Sequence, residues 1–222
     1  MYQIDENYKV DVDKLMNQLL NGRVKKDLFR LPYTKAQVVD MLTASVMAEI
    51  KYRHGSFKDS DELRFQISDA ADWLIDQDKF GILLCGKCGN GKTTLMRAIR
   101  SLINFLDAKN AYGESVSVSM IDAREIARLN KDDYEQFRKV REKPMLAIDD
   151  LGIEPAEVMD YGNILNPVID LISYRYNEQL FTIVTTNLNP KQIRDKYGDR
   201  IADRFNEMMK KVIFENDSYR SK

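Results

Sequence analysis

At 222 residues with 44% hydrophobic content, the chain has material for one three-layer α/β core and a modest extension. Its 34 basic and 35 acidic residues leave a net charge of −1, which excludes a global basic field and restricts any nucleic-acid contact to local patches. No apolar stretch approaches the roughly 18 residues of a membrane span, and the acidic opening Met1–Glu6 lacks the apolar segment of a secretion signal, so a soluble cytoplasmic protein is expected.

The first third of the chain contains no convincing strand. Thr34 and Gln37 form a capping box that opens a helix with Val38, Met41, Leu42, Val46 and Ile50 on one face. After an irregular stretch containing Gly55, Ser60 caps a second helix whose apolar face carries Leu63, Ile67, Ala70, Ala71 and Leu74. Residues 1–79 therefore read as a small helical region, either packed on the remainder of the chain or serving as a partner-binding module.

From Phe80 the character changes. The apolar run from Phe80 to Cys85 predicts a buried strand, and the stretch from Thr94 to Leu106 predicts a helix with Leu95, Ala98, Ile99, Leu102, Ile103 and Leu106 on one face. Between them, Gly86 to Thr93 is a complete G-x-x-x-x-G-K-[ST] phosphate loop. Gly86, Gly89 and Gly91 let the backbone curl around phosphate oxygens, with the amides of Asn90 and Thr94 in the same cradle. Lys92 reaches the β- and γ-phosphates and the Thr93 hydroxyl can ligate Mg²⁺. Cys85 and Cys88 form a C-x-x-C, but with no second pair and His54 as the single histidine, small-residue packing is the expected role.

Beyond the loop, strand and helix alternate. Residues 115–121 read as a strand. Asp122 and Glu125 predict a capping box for a helix through Leu129, and a charged helix comes next over about 132–142. The run Met145–Ile148 predicts a central strand buried on both faces. Asn166-Pro167 opens another helix, residues 181–186 make the next strand, and Asn189-Pro190 starts a short helix closed by Gly198. A helix over 199–209 and a strand over 212–214 complete an α/β fold with a five-stranded parallel sheet flanked by helices.

Three further groups suit nucleotide hydrolysis. Asp149 and Asp150 end the central strand, where Asp149 can hold the Mg²⁺ shell with Thr93 and Asp150 can orient or deprotonate water. Asn187 ends the next strand and offers a neutral amide to water or the γ-phosphate, although asparagine also favours turns. Arg200 and Arg204 are spaced i,i+4; Asp199, Asp203 and Glu207 could compensate them as a solvated face, or they could act as arginine fingers. Lys139, Arg141 and Lys143 form a local basic group that could approach DNA, or simply the solvated face of their helix.

In their order, GKCGNGKTT, MLAIDDLG, TIVTTNLNP, YGDRIADRF and VIFENDSYRSK resemble the AAA+ P-loop ATPases of the DnaC/DnaI helicase-loader and IstB transposition-helper group. The resemblance covers about residues 80–220. It implies Lys92 and Thr93 in Walker A, Asp149 and Asp150 in Walker B, and Asn187 as sensor 1. Arg204 becomes the arginine finger, Arg200 the other arginine of that box, and Arg220 a sensor-2 candidate. Residues 80–222 would be an ATPase domain without a separate lid. Asp150 stands where many AAA+ proteins carry Glu, so slow hydrolysis is expected. The implied function is ATP–Mg²⁺-dependent loading of a hexameric replicative helicase onto single-stranded DNA by an ATP-bound homo-oligomer. The alternatives are a transposition helper acting on duplex DNA and a small-molecule P-loop kinase.

Overall fold

The computed structural model describes residues 9–21, 28–75, 78–109, 113–155, 158–160, 163–216 and 218–219. Five strands form one parallel sheet: β1 (Gly81–Gly86), β2 (Ser119–Asp122), β3 (Met145–Leu151), β6 (Phe181–Thr186) and β7 (Met209–Phe214), in the spatial order β2-β3-β6-β1-β7. Between β3 and β6 in sequence lies a short antiparallel hairpin, β4 (Val158–Asp160) and β5 (Asn163–Leu165), which the residue pattern had not indicated. Along β1, Ile82 and Leu84 enter one core while Leu83 and Cys85 enter the other. Along β3, Met145 and Ala147 alternate with Leu146 and Ile148 in the same way. A strand buried on both faces has no polar side to display, which is why both read as unbroken apolar runs.

One face is covered by α2 (Lys35–Tyr52), α3 (Asp61–Ile75) and α4 (Lys92–Phe105). Val38, Leu42 and Val46 of α2 and Ile67, Trp73 and Leu74 of α3 are buried in the same cluster as Leu95 and Ile99 of α4 and Ile183 of β6. The helices α2 and α3 are thus packed into one core with α4 and the sheet rather than standing apart from them. Trp73 stacks on Phe181 at 4.8 Å and donates its indole N–H to Lys79 O. The Thr34–Gln37 capping box is formed, and the Ser60 hydroxyl accepts from Leu63 N. Ahead of these, α1 (Val12–Asn21) has no buried residue and leaves Leu15, Met16, Leu19 and Leu20 exposed.

The opposite face carries α5 (Ala123–Asp132), α6 (Tyr134–Arg141), α7 (Pro167–Asn177), α8 (Pro190–Tyr197) and α9 (Asp199–Met208). Several local expectations change here. β2 begins at Ser119 rather than Ser115, because Ser115 bridges back to Lys109 and parallel pairing starts only where Ser119 meets Leu146. Asp122 caps α5 through Arg124 N, and Glu125 pairs with Arg128 instead of closing a capping box. Asn166 makes no side-chain cap, although Pro167 does open α7. Asn189 and Gln192 form a complete capping box at α8.

Candidate nucleotide site

The strand order builds the site. Because β6 lies between β1 and β3, the ends of these three strands bring the phosphate loop, Asn187 and the Asp149–Asp150 pair side by side at the carboxyl edge of the sheet. At Gly86 the loop leaves β1 with φ 152°, hard against the end of β7; a Cβ there would stand 2.2 Å from Phe214 O. Only glycine admits that approach. The loop delivers the chain into α4, whose N-cap, Gly91, has φ 100° and makes no side-chain cap. The first amides of α4 thus remain without a side-chain acceptor and are suited to an anion.

Lys92 is buried and folded onto the loop. Its Nζ donates to Gly86 O (2.7 Å), Lys87 O (2.6 Å) and Asn90 Oδ1 (3.1 Å). Desolvation lowers its pKa, against the opposing pull of Cys88, Asp150 and Asp149. Thr93 Oγ1 donates to Asp149 Oδ1 at 2.9 Å, joining the loop to the end of β3. The register of β3 against β6 slips between Ile148 and Leu151, placing an extra residue where the two aspartates lie. That bulge turns their side chains apart. Asp149 is buried among hydroxyls, whereas Asp150, with φ 53°, lines the open cavity.

Thr185 is a site residue that motif reading missed. Its Oγ1 donates to Asp149 Oδ1 at 2.6 Å and accepts from Asp150 N at 2.8 Å, so one hydroxyl fixes both aspartates. The available signal was a polar residue inside an otherwise buried strand. Next to it, Asn187 reaches the same cavity as Asp150 and Lys92.

That cavity holds about 370 Å³, within the range of small-molecule sites. It extends from Gly89, Asn90, Gly91, Lys92, Thr93 and Thr94 past the end of α2 and the α2–α3 connection, lined there by Val46, Ile50, Arg53, Gly55, Ser56, Lys58 and Leu63, with Leu95 and Tyr219. These walls carry no motif. Cys85 is buried and its thiol points at Val212 O, but Cys88 is exposed and lines the cavity, so packing accounts for only one of the two cysteines.

The arginines of α9 differ from each other. Arg204 is buried against its own chain, donating to Ser173 Oγ and lying 5.1 Å over the Tyr176 ring, while Arg200 is exposed. Asp199 and Asp203 pair with Arg194 of α8 rather than with either. Arg220 lies outside the described residues. In the basic group of α6, Lys139 is exposed and paired with Glu135, whereas Arg141 is largely buried, paired with Asp170 and lying 4.4 Å over the Tyr174 ring, so the solvated-face reading fits Lys139 and not Arg141.

No protein-family model matches the sequence, and no curated protein sequence matches it. Solved structures do. A DnaI structure aligns over 87% of this chain and 97% of its own, with TM-score 0.58 and 21% identity. The structure of the DnaC helicase loader aligns over 72% of this chain and 94% of its own, with TM-score 0.56 and 21% identity. The chain shares the fold of these two structures. AMPPCP-bound DnaA from Aquifex aeolicus shares it at TM-score 0.51 and 18% identity, with the match spanning 70% of this chain and about half (48%) of DnaA. Among the described residues no helix is long and apolar enough to cross a membrane.

Proposed function

We propose that this chain is an ATPase of the helicase-loader type, which binds ATP, assembles with copies of itself and helps place a hexameric replicative helicase on single-stranded DNA. The observation that carries the reading is the meeting of Lys92, Thr93, Asp150 and Asn187 at one cavity, with Asp149 bonded to Thr93 behind it. The phosphate-loop amides and the start of α4 hold the triphosphate. Lys92 leaves its loop carbonyls for the β- and γ-phosphates. Asp150 orients the attacking water and accepts its proton, and Asn187 contacts that water or the γ-phosphate without adding negative charge.

Thr93 and Asp149 supply hard oxygen donors 2.9 Å apart, a donor set that fits Mg²⁺. The ion, when bound, neutralises charge on the phosphate oxygens. The apolar wall of Val46, Ile50, Leu63 and Leu95 receives the base, so the helical region completes the nucleotide site. Support for the loader role comes from the likeness to DnaI and DnaC along nearly their whole lengths, and single-stranded DNA appears together with AMPPCP in a DnaA of the same fold.

The test is reconstitution with the replicative helicase of the native host. The ATP-bound protein should form a stable complex with the helicase and increase the amount of helicase on circular single-stranded DNA. ATP turnover without any helicase or DNA association would reject the loader role and retain the ATPase.

A further inference from the structure

A chain of side-chain amides, buried at Gln66 and Asn90 and half-buried at Asn216, runs from the helical region into the phosphate loop. Gln66 on α3, 2% exposed, donates Nε2 to Asn216 Oδ1 at 3.0 Å. Asn216, in the segment after β7, donates Nδ2 to the backbone oxygen of Asn90 at 3.1 Å. Asn90 is fully buried; its Nδ2 donates to Phe214 O at 2.7 Å and its Oδ1 accepts from Lys92 Nζ. The trailing segment is tied again one residue earlier in the loop, where Tyr219 N donates to Gly89 O at 2.9 Å.

These bonds set the direction of two peptide planes. In a trans peptide the carbonyl and the next N–H point opposite ways. Holding Gly89 O and Asn90 O toward the tail therefore turns the N–H groups of Asn90 and Gly91 away from it. Successive amides facing one side are what a phosphate-binding loop requires. Gln66 is poorly suited to a purely stabilising role. Its Oε1 is buried without a partner among the described residues, and a half-satisfied buried amide weakens a core relative to an apolar side chain of the same shape. What the amide supplies is one donor, spent on Asn216.

We propose that Gln66 and Asn216 are positioning residues for nucleotide binding, holding the peptides of residues 89–91 in phosphate-binding orientation from α3 and the tail. The inference rests on the ATP-site reading proposed for this chain. It makes the helical region part of the machinery that shapes the phosphate loop, in addition to its place in the cavity wall.

The experiment uses the full chain and three variants, Gln66→Met, Asn216→Ala and their combination, with Lys92→Ala as the control for the site itself. Calorimetry gives the Kd for Mg·ATP, melting of the nucleotide-free protein gives stability, and steady-state hydrolysis separates KM from kcat. Loss of a hydrogen bond of this kind corresponds to a change of up to about tenfold. Asn216→Ala should weaken Mg·ATP by about tenfold and Gln66→Met by about threefold. KM should rise in step while kcat at saturating ATP stays at the parent level. Because Gln66 acts through Asn216, the double variant should be no weaker than Asn216→Ala alone. Gln66→Met conserves volume and should melt with the parent, so the test survives even if Asn216→Ala folds poorly. Unchanged Kd in folded Gln66→Met, or losses that multiply in the double variant, would overturn the proposal. If Lys92→Ala also binds ATP normally, the site reading itself is wrong; if Lys92→Ala alone loses ATP, only the positioning role falls.

Discussion

Lys92 satisfies its ammonium with two loop carbonyls and the Asn90 side chain. Replacing it with Ala should leave α4 intact, since Ala is a good helix former, while abolishing measurable ATP binding by calorimetry; near-parental affinity in a folded Lys92→Ala protein would displace the site. Asp149 and Asp150 are divided by the bulge into a buried carboxylate and a cavity-facing one. Asp150→Asn is expected to keep nucleotide and lose turnover in a phosphate-release assay, because the amide preserves shape but removes the base. Thr185→Val should disturb both aspartates together, stranding the Asp150 amide and one Asp149 contact. A destabilisation of about 1–3 kcal/mol is expected from the unpaired groups, read from urea unfolding, with turnover falling in the folded protein as well. Full activity in Thr185→Val would show that neither aspartate needs that hydroxyl.

Elements on the far face are fastened by a different buried cation. Arg175 of α7 is fully buried and pairs with no carboxylate among the described residues; it donates to Thr182 Oγ1 and to the carbonyls of Arg141, Lys143 and Phe181, tying α7 to the end of α6 and the start of β6. Burial pulls its pKa down to about 9, still above neutrality, so the guanidinium remains charged. Arg175→Met relieves the desolvation of a cation but orphans three carbonyls. The orphaned acceptors should outweigh the relief, giving a loss of about 2–4 kcal/mol in urea unfolding with ATP affinity of the folded fraction unchanged. A Met variant as stable as the parent would mean that desolvation dominates. Arg175 also marks where sequence reading stops. The phosphate loop, the strands and most helix starts were legible because each depends on residues close in sequence: an apolar run, a glycine spacing, a cap. The cavity wall beyond the loop was not, since it joins Val46 and Ser56 to Leu95 and Tyr219 only after folding. The hairpin β4–β5 escaped because each of its strands is only 3 residues long, whereas α1 was legible, since Val12, Leu15, Met16, Leu19 and Leu20 keep the spacing of one helical face.

At the scale of the whole molecule, the central question is whether one copy of the chain completes the site of another. Each described chain contains the loop, the aspartates and Asn187, but neither arginine of α9 lines its own cavity. Arg200 is exposed and can reach a neighbour without rearrangement, whereas Arg204 must first leave Ser173 and Tyr176. The two positions therefore separate by experiment. If an arginine acts across the interface, its Ala variant should bind ATP normally as a monomer and lose turnover, by as much as ~10³-fold, and activity of the parent should rise with protein concentration. A variant lacking the finger still offers a complete pocket, while Asp150→Asn offers a finger but a dead pocket, so mixing the two inactive proteins should restore part of the phosphate release. Complementation by Arg200→Ala with only a stability loss for Arg204→Ala would assign the exposed arginine to the neighbour and leave the buried one as a brace between α9 and α7. Complementation by Arg204→Ala would instead require α9 to release it on assembly, a change that fluorescence of a probe near Tyr176 should report on ATP addition. Failure of both mixtures, in samples shown to co-assemble, would remove the α9 arginines from catalysis altogether.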